Sequence, residues 1–526
     1  MNPTKLKEQV ERCWAGHAQC TVDTGTATTE IECLWGVLAD VCRRIVEEWD
    51  FSFAGLIVEE DVIEWQLRYA FYGEGDAGWV HVLVRAPLAE NFFPSLVEWI
   101  HAVDWHEREA EDLFGLHFQG HPRLGDFVLH DDAWQEGVEP MRRGFDAEAA
   151  MRNRLPDADW RPTRIVQEPG AFVMPIGPKF SGVTESVHFL LETVGEDVIR
   201  SSTRLFYKWR AIEKLAEGKP VEEVLLLAER FAATTAFAHG LAFCQAVESI
   251  SGAEVPARAR ALRVFLAELE RLRQHAGAIQ EICESTALVV ATSQAGLLEE
   301  DLLRVSGELT GHRYLFGLLA PGGLLCDLPT DACRAALIHS QDVLRKLMEL
   351  ERRLSISSSF LDRIEEVGVI SAETAKAYSL VGPVARASGL ARDLRRAQPY
   401  SGYQVFNFDV PTEQEGDGYA RLRVLFAEAR QSVRIMQQVA VALQEGSVCR
   451  PVHFRPGAAL GSVEAPRGGT FHWVRLNEGG QITRYRVITP SFANWHSFHL
   501  AAEKFAFQDF PIILSTFDLS VAENDR

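Results

Sequence analysis

Five long segments in the second half of this chain carry apolar residues every three to four positions, and they restrict the fold more than any other feature. Such spacing predicts amphipathic helices with one buried face. The segments lie at about 221–250, 257–290, 294–308, 330–355 and 416–445. Strand-like runs at 188–207 and at 471–492, the latter with "NEGG" as a hairpin turn, predict a small sheet at each end. We therefore expect a mainly helical domain that also contains a small sheet.

The first 130 residues follow a different pattern. A helical stretch precedes three runs rich in β-branched and aromatic residues, "FAGLIVEED", "IEWQLRYAFYG" and "WVHVLVRAPL", and a second helix is predicted from about Pro94. This order predicts an antiparallel sheet with helices on one face. Residues 131–172 are rich in Pro, Asp, Arg and Gly without a period, which is typical of a linker. The chain is thus predicted to be α+β, with domains at 1–130 and 173–526.

The bulk composition excludes several classes of function. A formal net charge of -21 argues against a nucleic-acid surface, which needs clustered Lys and Arg. No run of about 18 apolar residues is present, so we expect no membrane span, and the start of the chain lacks the apolar core of a signal peptide. None of the nine cysteines forms a CxxC pair. We expect reduced thiols in the cytosol and no zinc or iron–sulfur site within the chain.

Two segments could carry chemistry. In "RFAATTAFAHG", residues 230–240, Ala232 and Thr235 have the i, i+3 spacing at which two helical side chains can hold one ion, yet these residue types are poor ligands. The stretch is either an ordinary packed helix or a metal site without its ligands. In "DWHEREAEDLFG", Glu107 and Glu111 share a helix face. An acid–base or metal site and a charged, solvated or interface-facing helix both fit that spacing.

Longer motifs give the chain a family resemblance. "DWHEREAEDLFGLHFQGHPRL" resembles the signature of the C-type subunit of respiratory complex I, where the segment is structural and interfacial. "RASGLARDLRRAQPYSGYQVFNFDVPTEQEGDGYARLRV" resembles the D-type subunit of complex I. "VEAPRGG" and "RYRVITPSFANW" are similar to segments shared by D-type subunits and membrane-bound nickel–iron hydrogenases. "RLFYKWRAIEKLAEG" and "ERLRQHAGAI" resemble the large subunit of formate hydrogenlyase. The resemblance covers nearly the whole chain.

The resemblance implies four vacated metal-ligand positions. Nickel–iron hydrogenases hold their metals with two CxxC pairs, because nickel and iron in that site need soft, strongly donating ligands. Those positions correspond here to residues that carry no thiol: Ala232, Thr235, Ser520 and Glu523. The alanine side chain has no atom that can bind a metal. The oxygen atoms of the other three side chains bind hard cations such as Mg²⁺ or Ca²⁺ better than they bind nickel. We therefore expect no nickel–iron catalysis and no metal bound by this chain.

Complex I D-type subunits also lack the thiolates and hold a quinone headgroup in the vacated cavity. The resemblance places their quinone-binding tyrosine at Ala233, which has no hydroxyl. Their quinone-binding histidine lies soon after "GP", where this chain has Phe180, although His188 lies further along the same loop. A quinone is thus a possible cofactor, with His188 and Ala233 as candidate contacts. His188 could equally be a surface or capping residue.

Charged residues beside the hydrogenase metal cavity persist in this chain. By resemblance, Glu213, His239, Arg386 and Asp393 are candidate catalytic residues, and Arg395 and Arg396 are candidate cofactor-binding residues. His275 corresponds to a histidine on a second helix beside the cavity. A buried ion pair or a hydrogen bond between packed helices is the alternative for each.

The resemblance predicts a peripheral-arm subunit of a complex I-like or hydrogenase-related membrane complex that couples electron transfer to ion translocation. The NADH:quinone oxidoreductase type and the formate hydrogenlyase type both remain open. Expected partners are a small iron–sulfur subunit, which supplies the cluster, and antiporter-like membrane subunits. These partners would hold the chain at the cytoplasmic face of a prokaryotic plasma membrane. A catalytically silent scaffold and a hydrogenase large subunit are the alternatives.

Overall fold

The computed structural model describes residues 2–23, 27–135, 137–162, 165–166, 169–179 and 185–526. A sheet domain at the front of the chain is followed by a larger, mainly helical domain, which confirms the predicted α+β class. The strands are β1 Ala18–Asp23, β2 Thr28–Cys33, β3 Ser52–Glu60, β4 Glu64–Tyr72, β5 Trp79–Pro87, β6 Phe92–Pro94, β7 His117–Gln119, β8 Ala171–Ile176, β9 His188–Val194, β10 Asp197–Arg204, β11 Leu319–Ala320, β12 Gly323–Leu324, β13 Gly457–Ala465, β14 Gly468–Leu476, β15 Ile482–Ile488 and β16 Phe505–Ala506.

Helices make up most of the second domain. The helices of the described residues are α1 Pro3–Cys13, α2 Trp35–Glu47, α3 Asp104–Phe114, α4 Ala147–Arg152, α5 Ile212–Leu215, α6 Val221–Arg230, α7 Ala236–Ser251, α8 Ala257–Ser285, α9 Val289–Thr310, α10 Thr330–Leu354, α11 Ser358–Ile364, α12 Ala372–Ala377, α13 Gly382–Ala387, α14 Leu394–Ala397, α15 Gly418–Ala442, α16 Pro490–Ala502 and α17 Phe510–Phe517. Helices α1–α3 belong to the N-terminal domain and α4 to the stretch that follows it. Helices α8, α9, α10 and α15 confirm four of the five predicted helical segments. The fifth, at 221–250, is interrupted. Among the described residues, no helix has both the length and the apolarity to cross a bilayer.

The N-terminal sheet has five strands in the order β1-β2-β5-β4-β3. The three predicted strands are β3, β4 and β5, and they pair antiparallel as expected. The prediction of a wholly antiparallel sheet is wrong, because β2 pairs with β5 in parallel. The chain runs through α2, β3 and β4 between these two strands, and such a crossover is what a parallel pair requires.

The helix predicted from Pro94 begins ten residues later, at Asp104. Pro94 ends β6, which pairs with β7 instead. The carboxylate of Glu107 explains the extended conformation of this segment, since it accepts hydrogen bonds from Ser95 Oγ at 2.6 Å and from the Leu96 amide at 2.8 Å. These bonds satisfy polar groups that a helix would have used internally. The side chain of Glu107 therefore forms hydrogen bonds with the segment that precedes its own helix, α3.

Small sheets flank the helices of the second domain. One has the order β16-β10-β9-β8, and another has the order β13-β14-β15. The predicted strands at 188–207 are β9 and β10, and Asn477–Gly480 forms the predicted turn between β14 and β15. The stretch predicted as a linker contains the short helix α4, and only the first two residues of β8 lie within it. Sequence period did not show β8, because apolar residues occupy its exposed positions as well as its half-buried ones.

The two domains pack closely, with β3, β5 and α3 of the first domain against β14 and β15 of the second. The Arg475 guanidinium binds both carboxylate oxygens of Glu59 at 2.7 Å, and Arg484 Nε donates to the carbonyl of Val58 at 2.9 Å. The Phe471 ring packs edge-on against Trp79. Buried aromatic residues of α16 and α17 belong to the same apolar core as the N-terminal sheet. The sheet domain therefore shares its core with the second domain.

Candidate functional site

Ala232 and Thr235, the first pair of positions that the resemblance predicts as vacated ligand positions, lie at a break in the backbone. The chain leaves helix α6 at Arg230, passes through a single 3-10 turn at Ala233–Thr235 and re-enters a helix at Ala236. The prediction of one continuous helix at 221–250 is therefore wrong. The carboxylate of Glu270, on α8, accepts hydrogen bonds from the amides of Phe237 and Ala238 at 2.8 and 3.0 Å. This cap fixes the start of α7 and sets the break before it.

The second pair of vacated positions meets the first around the Glu523 carboxylate. Thr235 Oγ1 donates to Glu523 Oε1 at 3.0 Å, and Ser491 Oγ donates to Oε2 at 2.5 Å. The Arg467 guanidinium lies 3.5 Å from Oε1. Ser520 Oγ accepts the amide of Glu523 at 3.3 Å. Burial alone would raise the Glu523 pKa, but His239 and Arg467 outweigh it and bring that pKa to about 2. Glu523 is therefore ionised at neutral pH.

The residues at this position do not fit a nickel–iron centre. Ala232 contributes only a methyl group, and Thr235 Oγ1 is already hydrogen-bonded to Glu523 Oε1. Arg467 also brings a positive charge to the carboxylate, and that charge would repel a metal cation. Among the described residues, no group of three or more His, Cys, Asp or Glu side chains is arranged to hold a metal ion. The position is filled by a buried ion pair.

A chain of buried polar rings extends from Glu523 into the sheet β13-β14-β15. His239 Nε2 lies 3.8 Å from Glu523 Oε1, and His239 Nδ1 lies 3.1 Å from His472 Nε2. His472 Nδ1 then lies 2.8 Å from the Tyr485 hydroxyl. Burial, His239 and Arg526 hold the His472 pKa well below 6.5, so this ring is neutral. A neutral imidazole donates at one nitrogen and accepts at the other, so His472 can connect the hydrogen bond with His239 to the one with Tyr485.

Arg386, Asp393 and Arg395 lie together in a second buried cluster. Arg395 Nη2 binds Asp393 Oδ2 at 2.6 Å, and Arg386 Nη1 lies 3.7 Å from the same oxygen. Burial opposes ionisation of Asp393, but Arg395 and Arg386 outweigh that effect and lower its pKa. The full cluster contains three arginines and four carboxylates, all buried: Arg271, Arg386, Arg395, Glu268, Asp393, Glu428 and Glu464.

Helix α8 connects this cluster to the ion pair at Glu523. His275 Nε2 lies 2.9 Å from Glu428 Oε2, and burial lowers the His275 pKa, so the neutral ring donates to that carboxylate. The preceding residue, Gln274, donates to both oxygens of Asp518 at 3.0 Å. Asp518 in turn accepts from Arg467 Nη2 at 3.0 Å. Neighbouring side chains of one helix thus contact both buried groups of charges.

Glu213 occupies a third site, at the contact between the domains. Its Oε1 accepts from the Val487 amide at 3.0 Å and from Arg486 Nη1 at 3.2 Å. Arg526 Nε lies 3.4 Å from the same oxygen. Glu109, from α3 of the N-terminal domain, binds Arg486 at 2.5 Å and Arg526 at 2.8 Å. Two carboxylates from different domains therefore share two guanidinium groups.

Three of the predicted cofactor contacts lie apart from these clusters. Ala233 is exposed, and Arg396 is exposed with its guanidinium over the Phe408 ring. His188 begins strand β9 instead of lying in a loop, and its ring packs 6.4 Å from that of Tyr207. Burial and Arg204 lower the His188 pKa. Phe180, the other position considered for a quinone contact, lies outside the described residues.

Several residues of these sites were not predicted from the sequence. Arg467 lies within the quoted motif "VEAPRGG", so a signal for it was present. His472 and Tyr485 lie on neighbouring strands, where only the pairing of β14 with β15 brings them together. Glu109 lies within the motif "DWHEREAEDLFG", and Tyr485 and Ser491 lie within "RYRVITPSFANW", so these motifs also carried a signal, but no residue pattern indicated the partners of each side chain.

Comparison with known families agrees with this architecture. Residues 36–150 match the family described as respiratory-chain NADH dehydrogenase, 30 Kd subunit. Residues 291–455 and 447–526 match the family described as respiratory-chain NADH dehydrogenase, 49 Kd subunit. The fold and the matches define a fused protein, in which a C-type sheet domain is joined to a D-type helical domain.

Individual relatives span both domains. Formate hydrogenlyase subunit 5 of Escherichia coli (strain K12) is 31% identical over 463 residues, which cover 86% of this chain and 80% of the relative. The C/D subunit of NADH-quinone oxidoreductase from Bdellovibrio bacteriovorus is 28% identical over 498 residues, 87% of each chain. Hydrogenase-4 component G of Escherichia coli (strain K12) is 29% identical over 471 residues, 87% of this chain and 80% of the relative. The chain belongs to the family of fused C/D-type complex I subunits and formate hydrogenlyase large subunits, which confirms the resemblance.

Proposed function

We propose that this chain is a peripheral-arm subunit of a membrane-bound, complex I-like or hydrogenase-related oxidoreductase complex, in which it handles protons without a nickel–iron site. The observation that carries the proposal is the Glu523 carboxylate at a former ligand position, where it bonds to Thr235 and Ser491 and faces Arg467. In our proposal, the buried Glu523 carboxylate and the positive charge of Arg467 take the place of the metal cation.

Electrons reach this subunit from a partner in our proposal. The chain has no CxxC pair that could hold an iron–sulfur cluster, so a small iron–sulfur subunit supplies it. Antiporter-like membrane subunits form the ion-translocating part, and the chain lies at the cytoplasmic face of the membrane through these partners. The relatives support this assignment, since they are named as subunits of NADH-quinone oxidoreductase and of formate hydrogenlyase. A quinone is the acceptor class that the complex I relatives suggest.

Glu213 is the group that we propose to accept and release the proton. Its carboxylate is buried, and it lies beside Arg486 and Arg526, which also contact Glu109 of the N-terminal domain. A buried carboxylate whose neighbours can rearrange is suited to proton exchange, because small shifts of those charges change its affinity for a proton. The contact between Arg386 and Asp393 keeps the helices that surround it in a fixed arrangement.

A silent scaffold is the second candidate, and two observations favour it. The Phe231 ring packs 4.4 Å from the His239 ring, so an apolar side chain fills the space beside that histidine. Ala233 offers no hydroxyl at the position where a quinone headgroup would need one. In this case the buried charges stabilise the subunit, and the redox reaction occurs entirely on partners.

Purification of the complex through an affinity tag on this chain tests the proposal. We expect mass spectrometry to find a small iron–sulfur subunit and membrane subunits, and metal analysis to find iron but no stoichiometric nickel. A chain that purifies alone, or nickel near one per chain, contradicts the assignment. The Glu213→Gln complex separates the two candidates: lost proton-coupled turnover in a fully assembled complex supports proton handling, and wild-type turnover supports the scaffold.

A further inference from the structure

One edge of strand β13 is uncovered in a cleft between the two domains. Strand β13 lies at the end of the sheet β13-β14-β15, and within the described part of the chain no strand pairs with its other side, the open edge. The cleft has a volume of about 1180 Å³, and residues of β13 line it together with residues of β1, β2, β5 and α7. An uncovered edge presents backbone N–H and C=O groups to which another extended segment can bind.

The open edge is satisfied at one end, at Glu464. The Glu464 amide donates to the Tyr400 hydroxyl at 3.1 Å, and the Glu464 carbonyl accepts from Arg271 Nη2 at 2.5 Å. These bonds show that the backbone groups of Glu464 point away from β14. Side chains of the second domain therefore close this end of the edge.

The rest of the open edge has no such partners. β13 pairs with β14 without a shift of register, so every second residue directs its backbone groups as Glu464 does. These residues are Ala458, Leu460 and Ser462, and all three line the cleft. Among the described residues, no backbone or side-chain group forms a hydrogen bond with them on that side. They therefore offer unpaired backbone donors and acceptors at the spacing of a strand.

The walls of the cleft carry side-chain atoms that also lack a partner. His81 of β5 is only 6% exposed, and its ring lies 6.1 Å from that of Trp473, which pairs with Leu460. Gln245 lies on α7, which packs on the opposite face of β13 against Gly461. No described residue forms a hydrogen bond with His81 Nε2 or Gln245 Nε2, and both residues line the cleft. Buried polar atoms are rarely left unpaired, so these two indicate a polar occupant.

The charged groups of the cleft are already paired within the chain. Each of the three arginines that line the cleft has a carboxylate partner: Arg68 with Glu30, Arg85 with Glu32 and Arg475 with Glu59. A charged occupant would need a counter-charge that these pairs do not leave available. An uncharged polar occupant fits the cleft better.

We propose that an extended, uncharged segment of a partner protein adds to the open edge of β13. Its backbone bonds to Ala458, Leu460 and Ser462, in the manner of peptides that extend a sheet. Its successive side chains point to opposite faces, and serine, threonine, asparagine or glutamine at these positions reach His81 on one face and Gln245 on the other. The inference rests on the proposed function only because it requires that the chain works within a complex.

Residue-resolved hydrogen exchange tests this inference, with the full-length chain alone compared with the affinity-purified complex. We expect the amides of Ala458, Leu460 and Ser462 to exchange at least about tenfold more slowly in the complex, because the added strand protects them. The amides of Ala459 and Gly461 point towards β14 and should exchange equally in both forms. This alternation separates strand addition from general burial of the cleft.

A proline at the open edge provides a variant with a matched control. Leu460→Pro removes one outward amide and leaves the bonds to β14 in place, whereas Leu460→Ala keeps that amide. We expect the protection of Ala458 and Ser462 in the complex to be lost in Leu460→Pro and retained in Leu460→Ala. Equal protection in the two variants contradicts strand addition.

A photoreactive side chain identifies the occupant directly. Thr21 is exposed on β1 and lines the cleft, whereas Glu8 is exposed on α1 and does not. In the purified complex, a photoreactive residue at position 21, but not at position 8, should crosslink to a peptide from another subunit. Crosslinks within this chain alone overturn the inference, and they decide the case if Leu460→Pro does not fold.

The exchange experiment also separates this inference from the proposed function. Equal exchange of the three outward amides in the free chain and in an assembled complex overturns the inference and leaves the proposed function intact. Protection that rises with the concentration of the chain alone assigns the cleft to a second copy and overturns the inference as well. A chain that purifies without partners rejects the proposed function and the inference together.

Discussion

Glu523 shows at the residue scale how a carboxylate is accommodated in the interior of this fold. The carboxylate is completely buried, yet each oxygen has a hydroxyl donor and Arg467 supplies a counter-charge. A buried carboxylate without these partners would be strongly destabilising. Thr235, Ser491 and Arg467 are therefore what allows Glu523 to remain ionised in the core.

The first prediction concerns the pH dependence that Glu523 adds to stability. Its pKa is about 2 in the folded chain against an ordinary value of 4.5. A lowered pKa stabilises the fold above about pH 4.5, and that contribution is lost as the pH falls towards 2. Glu523→Gln should lower the free energy of unfolding at pH 7 by about 3 kcal/mol and flatten its fall between these pH values. Urea unfolding at several pH values measures both effects.

The control for this prediction is Glu254→Gln, which removes an exposed carboxylate paired with Arg450. Exposed pairs contribute at most about 1 kcal/mol, so its unfolding curves should follow those of the wild type. An equal pH slope in Glu523→Gln and in the wild-type chain would falsify the assignment of the stabilising carboxylate to Glu523.

A second residue-scale prediction compares two arginines of the same motif region. Arg386 is completely buried and binds Glu428 at 2.6 Å and Glu464 at 2.9 Å, whereas Arg396 is exposed over Phe408. Arg386→Met should destabilise the fold by about 3 to 5 kcal/mol, because it leaves buried carboxylates without their partner. Arg396→Met should cost no more than about 1 kcal/mol. Equal losses in chemical denaturation would contradict this ranking.

At the scale of elements, the break between α6 and α7 separates what the sequence could predict from what it could not. The Ala-rich stretch at 231–242 has high helix propensity, so its pattern predicts a continuous helix. The break depends on Glu270, which is 33 residues from Phe237 in sequence and adjacent only after folding. The motifs single out Ala232, Thr235, Ser520 and Glu523, and the structure brings Thr235, Ser520 and Glu523 into hydrogen-bond contact. No local pattern could indicate the bond between Thr235 and Glu523, which lie 288 residues apart.

The prediction at this scale concerns the cap on α7. Glu270→Ala removes the acceptor of the Phe237 and Ala238 amides, and loss of such a cap costs about 0.5 to 2 kcal/mol. We expect faster hydrogen exchange at the start of α7, with unchanged exchange in the middle of α8. Glu284→Ala, an exposed position near the end of the same helix α8, is the control. Unchanged exchange in a peptide spanning 233–241 would show that other contacts set the break.

At the scale of the whole molecule, the two domains act as one folded unit. Ion pairs cross the interface at Arg475 with Glu59 and at Arg526 with Glu109, and both acidic residues are buried. The apolar core of the N-terminal sheet continues into α16 and α17. The covalent connection at 153–160 is, by contrast, almost entirely exposed. Noncovalent contacts, and not the connecting segment, should therefore hold the domains together.

Cleavage of that connection tests the last prediction. A site-specific protease sequence inserted at 155–159 should be cut in the folded chain, because exposed segments without regular structure are the preferred sites of proteolysis. The two fragments should then co-elute in size-exclusion chromatography. Arg475→Glu places two acidic side chains opposite each other at Glu59, and in this variant the cut fragments should separate more readily at low salt than at high salt, since salt screens the repulsion. Separate elution of the wild-type fragments would contradict the prediction that noncovalent contacts hold the two domains together.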